Sequence, residues 1–403
     1  MHYLIFPQKD SWIYSKYPNY NNGLDEILEI KKEITDTTVD YSRVLIQFDT
    51  SSFPTAAIQS GSFYLNLYAA NPLKLPSDYT IDVYPISQSW AQGTGYPSSN
   101  IQKEDGVTWN TRSTNSNWNN SGSDYISTIS CSQGFSYNVA DIRIDVTSIV
   151  KSWISGTFPN YGFLVKRAKT EETSSLDEAN LTFYSMDTHT VNLPILEAMW
   201  DDSIFITGST QLIYSGNVQG YMTDGTMSGI FSNTSGHINT SSFSTSYLQV
   251  SSSVISSSNM VMTGSFSNVL SGSTFQPVTT DELSISMRNL KKEYKYATDA
   301  RMRIFSKDLY QRKTFTNTNA LSFSIIKYLP QNSAIYQIED AYTGRIIIPF
   351  SQYTKIGCDS LGNYFDLNLN GFMPNRFYRI IFKVTLDGSD SYFDNNYIFK
   401  VIK

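Results

Sequence analysis

Aromatic rings and amide side chains are interspersed between residues 90 and 118, and together they have the chemistry of a sugar-binding surface. An aromatic ring can pack against the C–H face of a pyranose, while amides exchange hydrogen bonds with its hydroxyls. Because polar residues flank Trp118 on both sides, we expect it to be exposed. We predict a glycan site at Trp118, Tyr96 and Asn117. The other aromatic and amide residues of this stretch are Trp90, Trp109, Gln92 and Asn110.

Two alternative roles are open for these aromatic residues. Large aromatic side chains dominate protein cores, so we expect Trp90, Trp109 and Trp153 to be buried. An exposed Trp118 would serve equally well in an adhesive contact with another protein, because aromatic residues are enriched in such contacts.

Basic residues are concentrated between positions 288 and 313 and form the strongest charged feature of the sequence. Arg301 and Arg303 would share one side of a strand, since side chains alternate between the two faces. With Lys291 and Lys292, they could contact an acidic partner protein. Equally, these four residues could form a solvated face in which Lys protects a sheet edge from aggregation.

Acidic residues recur near the C-terminal end, at Asp387, Asp390 and Asp394. Carboxylate oxygens suit Ca²⁺, but the spacing differs from that of an EF-hand loop. The Asp-Gly and Asn-Asn pairs of this segment are also typical of hairpin turns, which need no ion.

Sequence patterns of catalytic and metal sites are missing. There is no Gly-x-Ser-x-Gly, no His-Glu-x-x-His and no glycine-rich phosphate loop. The adjacent acids at 171–172 and 201–202 would point to opposite faces of a strand. Neither the three histidines nor the two distant cysteines, Cys131 and Cys358, have metal-ligand spacing. We therefore expect a non-enzymatic protein with no catalytic residues, cofactor or metal.

The composition argues against two classes of partner. The 403 residues include 30 Lys and Arg against 36 Asp and Glu, which gives a net charge of −6 without any long basic run. We therefore expect binding neither to nucleic acid nor to an anionic membrane surface. The N-terminus lacks the pattern of an export signal, and no apolar stretch is long enough to span a bilayer.

Alternating apolar and polar residues predict short antiparallel strands over residues 1–200. Val44, Ile46 and Phe48 share one strand face, and the runs at residues 63–67 and 81–83 follow the same pattern. One segment has helical spacing instead, because apolar residues at positions 146, 149, 150 and 153 lie between Asp145 and Gly156. We expect a short helix that closes one end of a β-sandwich.

The remaining sequence divides into two regions. Residues 201–283 are rich in Ser, Thr and Gly but keep β-branched and aromatic residues, so we predict a β-rich spacer or small β-domain with a weak repeat at 227–233 and 262–268. Residues 284–403 contain seven strand-like runs, which favours an immunoglobulin-like sandwich. The expected fold is thus all-β and multi-domain, and the last hairpin should turn at Asp387-Gly388 and further polar residues.

Residues 1–200 resemble the DNRLRE domain, a jelly-roll or β-sandwich domain akin to a carbohydrate-binding module. The resemblance is carried by motifs that occur in order: DSWIYSKYPNYNNG, RVLIQFDTSSFP, GSFYLNLYAANP, IDVYPISQSW, VTWNTR, DVTSIVKSWISGTFPNYGFLVKR and LTFYSMDTHTVNLPILEAMW. It implies the sandwich fold and says less about function.

The whole sequence, with its expected lack of an export signal, resembles a bacteriophage virion protein, since phage particles assemble in the host cytoplasm. This resemblance implies a structural component of the capsid, neck or tail that forms homo-oligomers and contacts other virion proteins. The alternative is a glycan-binding adhesin or receptor-binding protein whose N-terminal sandwich holds host polysaccharide. A third possibility, a bacterial cell-surface protein, would require an export signal.

Overall fold

A computed structural model describes fourteen stretches of the chain. They are residues 1–36, 38–70, 75–96, 105–138, 140–176, 178–205, 221–223, 226–228, 253–256, 259–262, 283–309, 329–359, 361–386 and 388–403. The described residues are almost all in strands or connecting loops, which confirms the all-β prediction. The chain divides into two compact units, Met1–Trp200 with Asn368–Met373 and Asp201–Leu367 with Pro374–Lys403.

The N-terminal unit is built from strands with three short helices. Its strands are β1 (His2–Ile5), β2 (Pro7–Tyr14), β3 (Ile27–Ile34), β4 (Val39–Phe48), β5 (Ser62–Leu67), β6 (Asp78–Pro85), β7 (Thr111–Ser113), β8 (Ser116–Asn117), β9 (Cys131–Ser136), β10 (Ile142–Asp145), β11 (Phe163–Arg167), β12 (Ala179–Tyr184) and β13 (Ile195–Met199). The helices are α1 (Thr55–Ser60), α2 (Thr147–Ile154) and α3 (Lys169–Glu172), and a 3-10 turn spans Thr50–Ser52.

Two antiparallel sheets of this unit enclose one apolar core. The first has the order β1-β13-β5-β10, and the second has the order β12-β3-β4-β11-β6-β9, with β2 also paired to β4. Val44, Ile46 and Phe48 all point into the core, as the alternation in the sequence predicted. The runs at residues 63–67 and 81–83 do the same.

Helix α2 confirms the predicted helix. Ile149, Val150 and Trp153 are buried in the core between the sheets. The carboxylate of Asp145 accepts a hydrogen bond from the Thr147 amide at 2.9 Å, and the chain turns away at Gly156, whose φ of +74° favours glycine.

A second apolar cluster covers the outer face of the larger sheet. It joins Ile13, Leu45 and Leu164 of three strands to residues of the connecting loops, which are Ile86, Trp90, Val107, Trp109 and Trp118. The predicted burial of Trp90 and Trp109 is confirmed. The expected exposure of Trp118 is wrong: only 5% of its surface is accessible, and its indole N–H donates to the Thr108 carbonyl. The polar neighbours of Trp118 point outward while its ring fills the space above the sheet.

The second unit contains the remaining strands. They are β14 (Tyr221–Thr223), β15 (Thr226–Ser228), β16 (Ser253–Ser256), β17 (Asn259–Met262), β18 (Leu283–Met287), β19 (Glu293–Lys295), β20 (Asp299–Asp308), β21 (Ala334–Asp340), β22 (Ile346–Ile348), β23 (Gly357–Asp359), β24 (Gly362–Asn368), β25 (Phe377–Leu386) and β26 (Ser389–Ile402). Strands β14 to β17 form two small hairpins in the Ser/Thr/Gly-rich region. The predicted repeat lies mostly outside the described residues.

Two larger sheets follow in this unit, with the orders β18-β20-β24-β23 and β19-β26-β25-β21-β22. They pack through aromatic rings, because Tyr336 of the second sheet stacks on Phe365 of the first at 4.1 Å. Met302 and Ile304 are buried, as their alternation with two arginines predicted. Strand β26 begins at Ser389, so the last hairpin has a shorter loop than predicted, because the polar residues after Gly388 pair with β25.

Candidate functional site

Two tyrosines after β2 form an exposed aromatic pair. Tyr17 and Tyr20 have 49% and 36% of their surface accessible, and their rings stack with centroids 5.3 Å apart and planes 12° apart. The Tyr20 amide donates to the Tyr17 carbonyl, which makes the turn that brings the rings together. Tyr14, at the end of β2, contacts the Tyr17 ring edge-on at 5.8 Å. The pair is thus supported from the sheet side.

A buried amide fixes the loop that carries this pair. Asn21 is 4% exposed, and its Nδ2 donates to the carbonyls of Gln92 and Val107, both at 2.7 Å. Its Oδ1 accepts from the amides of Gly23 and Gly95 at 3.2 and 2.7 Å. One side chain therefore ties the tyrosine loop to two other loops, and all four of its hydrogen-bonding positions are used.

Glycine is required where these loops meet. A Cβ added at Gly95 would lie 2.0 Å from the Asn21 carbonyl oxygen, and one added at Gly106 would lie 2.4 Å from the Gly93 Cα. Such distances exclude any side chain, so the glycines let three backbones approach closely.

Amide and hydroxyl groups lie beside the tyrosines. Asn110 Nδ2 donates to Asn19 Oδ1 at 3.0 Å, and Asn110 Oδ1 accepts from the Ser121 hydroxyl at 3.1 Å. The backbone N–H of Asn110 also donates to the carbonyl of Pro18, which lies between the two tyrosines in the sequence. We call Tyr17, Tyr20, Asn19, Asn110 and Ser121 the tyrosine–amide face.

Two of the three predicted glycan-site residues are exposed. Tyr96 is 42% exposed and follows Gly95, whose carbonyl accepts from the Leu24 amide at 2.9 Å. Asn117 is exposed, and the next residue, Trp118, donates its amide to the Asn110 carbonyl. Trp118 itself is buried and offers almost no surface to a ligand. Sequence reasoning missed Tyr17 and Tyr20, although their three-residue spacing in YPNY was visible.

Charged groups near the two ends of this loop have local partners. The Trp12 indole donates to Asp25 at 2.7 Å, and burial raises the pKa of Asp25 to about 6. Lys16 pairs with Glu33 at 2.6 Å, and this hydrogen bond lowers the pKa of Glu33. The tyrosine–amide face itself consists of uncharged side chains, namely two rings, two amides and one hydroxyl.

Acidic residues of the same sheet partly neutralise the positive charge of the predicted basic interface. Arg301 makes two hydrogen bonds to Asp366 at 2.8 and 2.7 Å, and Arg303 pairs with Asp359. Both guanidinium groups also lie over the Tyr364 ring, at 4.2 and 5.2 Å. Lys291 and Lys292 are exposed. A partner for this surface stays a prediction.

The acidic residues considered for Ca²⁺ lie next to basic side chains instead. Asp390 pairs with Lys383 at 2.7 Å, and Asp394 lies 3.3 Å from Arg379. Asp387 is outside the described residues. Within the part of the chain that the structure describes, no three His, Cys, Asp or Glu side chains are grouped to hold a metal ion, and no helix could cross a membrane.

Comparison with known proteins gives a family match within the first unit. No curated protein matches the chain. Residues 3–197 match the model of carbohydrate-binding module family 96, and this range contains the whole tyrosine–amide face. The match supports the carbohydrate-binding-module likeness predicted for residues 1–200. The N-terminal unit is a carbohydrate-binding-module-like β-sandwich.

Proposed function

We propose that the N-terminal unit binds polysaccharide through the tyrosine–amide face. The observation that carries this proposal is the stacked, exposed pair of Tyr17 and Tyr20, held in place by the buried Asn21. The family match supports carbohydrate as the ligand class. It favours the glycan-binding alternative of the sequence analysis over a purely structural role.

The geometry suits a sugar chain in three ways. The exposed ring surfaces can take the C–H faces of pyranose rings, because these faces carry partial positive charge and the π-face partial negative charge. Asn19, Asn110 and Ser121 can exchange hydrogen bonds with equatorial hydroxyls. The loop is already ordered by Asn21, so binding does not have to immobilise it, and this raises affinity.

Affinity electrophoresis in gels containing soluble polysaccharide tests the proposal. We expect Tyr17→Ala and Tyr20→Ala each to weaken binding about threefold to tenfold, since an aromatic contact contributes about 0.5–1.5 kcal/mol beyond area burial. Tyr342→Ala is the matched control, because Tyr342 is 79% exposed and lies in the other unit. This control should bind as the native chain does.

Two results would contradict the proposal. One is a native chain that migrates identically with and without every polysaccharide tried. The other is binding that neither tyrosine substitution changes, provided that both variants melt at the native temperature.

A further inference from the structure

One concave surface of the N-terminal unit shares no residue with the tyrosine–amide face. It is a groove of about 620 Å³ at the start of β6, the end of β9 and the start of β10, lined in part by Asp78, Gln133, Gly134, Asp141 and Arg143. This volume is within the range of about 300–1,000 Å³ that is usual for small-molecule sites. The groove therefore has room for a sugar residue.

The exposed part of the groove lining carries polar side chains. Tyr79 and Phe135 also belong to the lining, but their rings are buried in the core, where they stack at 5.6 Å. On the rim, Gln133 and Asp78 are exposed, and among the described residues their side chains have no hydrogen-bond partner. Asp141 uses one oxygen to accept from the Ala69 amide at 2.8 Å, which leaves the second oxygen for a ligand. Several polar groups thus converge on the groove, and such groups fix the orientation of a bound ligand.

Arg143 is held in position on the same rim. Its guanidinium lies 3.7 Å from the centroid of the Tyr64 ring, and it donates through Nε and Nη2 to Glu197 at 3.3 and 3.1 Å. Glu197 is buried and also hydrogen-bonds to His2 at 2.7 Å. Arg143 is thus a fixed donor whose positive charge is already balanced by a carboxylate.

The charges of the rim decide which sugars fit. Asp78, Asp141 and Glu171 line the groove, and Arg143 is the only cation among the described lining residues. Glu171 is paired with Arg167 at 3.0 Å, so the uncompensated negative charge is that of Asp78 and Asp141. An anionic sugar would face repulsion from these carboxylates, whereas neutral hydroxyls can donate hydrogen bonds to them. We propose that this groove is a second carbohydrate site that takes an uncharged sugar unit; this inference rests on the proposed function of the N-terminal unit.

Gly134 offers a way to fill the groove without disturbing the sheet. A Cβ added there meets no atom within 4 Å. Gly134→Trp should therefore occupy the groove from the edge strand β9. Ser132→Trp is the matched control, because Ser132 lies on the same strand face but does not line the groove.

The test uses the full chain in affinity gels containing neutral glucomannan or xylan, or anionic polygalacturonate. We expect the double variant Tyr17→Ala with Tyr20→Ala to retain part of its retardation in at least one neutral gel. Adding Gly134→Trp should reduce that residual affinity at least about tenfold, or by about 1.4 kcal/mol, while adding Ser132→Trp should not. Replacing Asp78 and Asp141 together by Asn should create retardation in polygalacturonate.

Each failure has a separate meaning. If the tyrosine double variant loses all binding while the native chain is retarded, the groove inference is overturned and the proposed function stands. Unchanged residual binding in the Gly134→Trp variant also overturns the inference. If the Asp-to-Asn variant still ignores polygalacturonate, the assignment to uncharged sugars is wrong. A native chain that binds no polysaccharide refutes both proposals.

Discussion

Replacing Asn21 by Ala should destabilise the N-terminal unit far more than its position in a loop suggests. The change leaves two carbonyls and two amide N–H groups without their partner. At about 1 kcal/mol for each lost hydrogen bond, the free energy of unfolding should fall by about 4 kcal/mol. For a unit of this size, that corresponds to a melting temperature about 10 °C lower.

Tryptophan fluorescence can measure this loss in the intact chain. All six tryptophans of the sequence lie in residues 1–200, so their emission reports unfolding of the N-terminal unit alone. The control is Asn19→Ala, because Asn19 is exposed and its side chain makes one hydrogen bond, to Asn110. We expect this control to melt within about 3 °C of the native chain. Equal melting temperatures for the two variants would refute the assignment of Asn21 as the tie between the loops.

Two further predictions concern buried charge, and both use the same fluorescence melts. Burial raises the pKa of Asp10 from 3.8 to about 7, so the folded state keeps a proton that the unfolded state loses as the pH rises. The free energy of unfolding should therefore fall by up to ~4 kcal/mol between about pH 4 and pH 7. Asp10→Asn should flatten this fall, and an unchanged slope would contradict the assignment. Glu172 accepts hydrogen bonds from Arg43 and Lys166, both at 2.8 Å. Glu172→Gln should lower the free energy of unfolding by about 3–5 kcal/mol, because it leaves buried cations uncompensated. The control Glu33→Gln, at a partly exposed ion pair, should lower it by less than about 1 kcal/mol. Similar losses for both variants would argue against the buried network.

Period-two alternation was enough to predict strands that have one face in a core. Val44, Ile46 and Phe48 alternate with residues that point away from the core between the sheets, so their pattern alone reveals their direction. The helix at Thr147–Ile154 was equally readable, since its buried residues recur at helical spacing. These features depend on local sequence, which is why they could be predicted.

Trp118 shows where local sequence stops being informative. Its polar neighbours predicted exposure, but its burial depends on packing against Ile13, Leu45 and Leu164, which are distant in the sequence. Tyr17 and Tyr20 were overlooked for the opposite reason, because their exposure depends on hydrogen bonds from Asn21 to residues 92 and 107. Contacts between segments so far apart leave no periodic pattern in the sequence.

The expectations about cellular context depend neither on local periodicity nor on contacts between distant segments. A place in a phage particle, homo-oligomerisation, virion partners and a lack of enzymatic activity stay predictions. The carbohydrate-binding-module likeness of the first unit is the part of the functional prediction that the family match supports.

The pairing of β1 with β13 has a consequence for synthesis. His2–Ile5 pairs with residues 196–199, so β1 needs a partner that is made almost 200 residues later. At about 5–20 residues per second, a ribosome takes roughly 10–40 s to deliver that partner. During this interval the unpaired edge of β5 and the side chain of His2, destined to be buried, both remain accessible. The first sheet of the N-terminal unit therefore cannot be completed before residue 199 emerges. Until then, chaperones can bind the exposed segments, or the chain can aggregate.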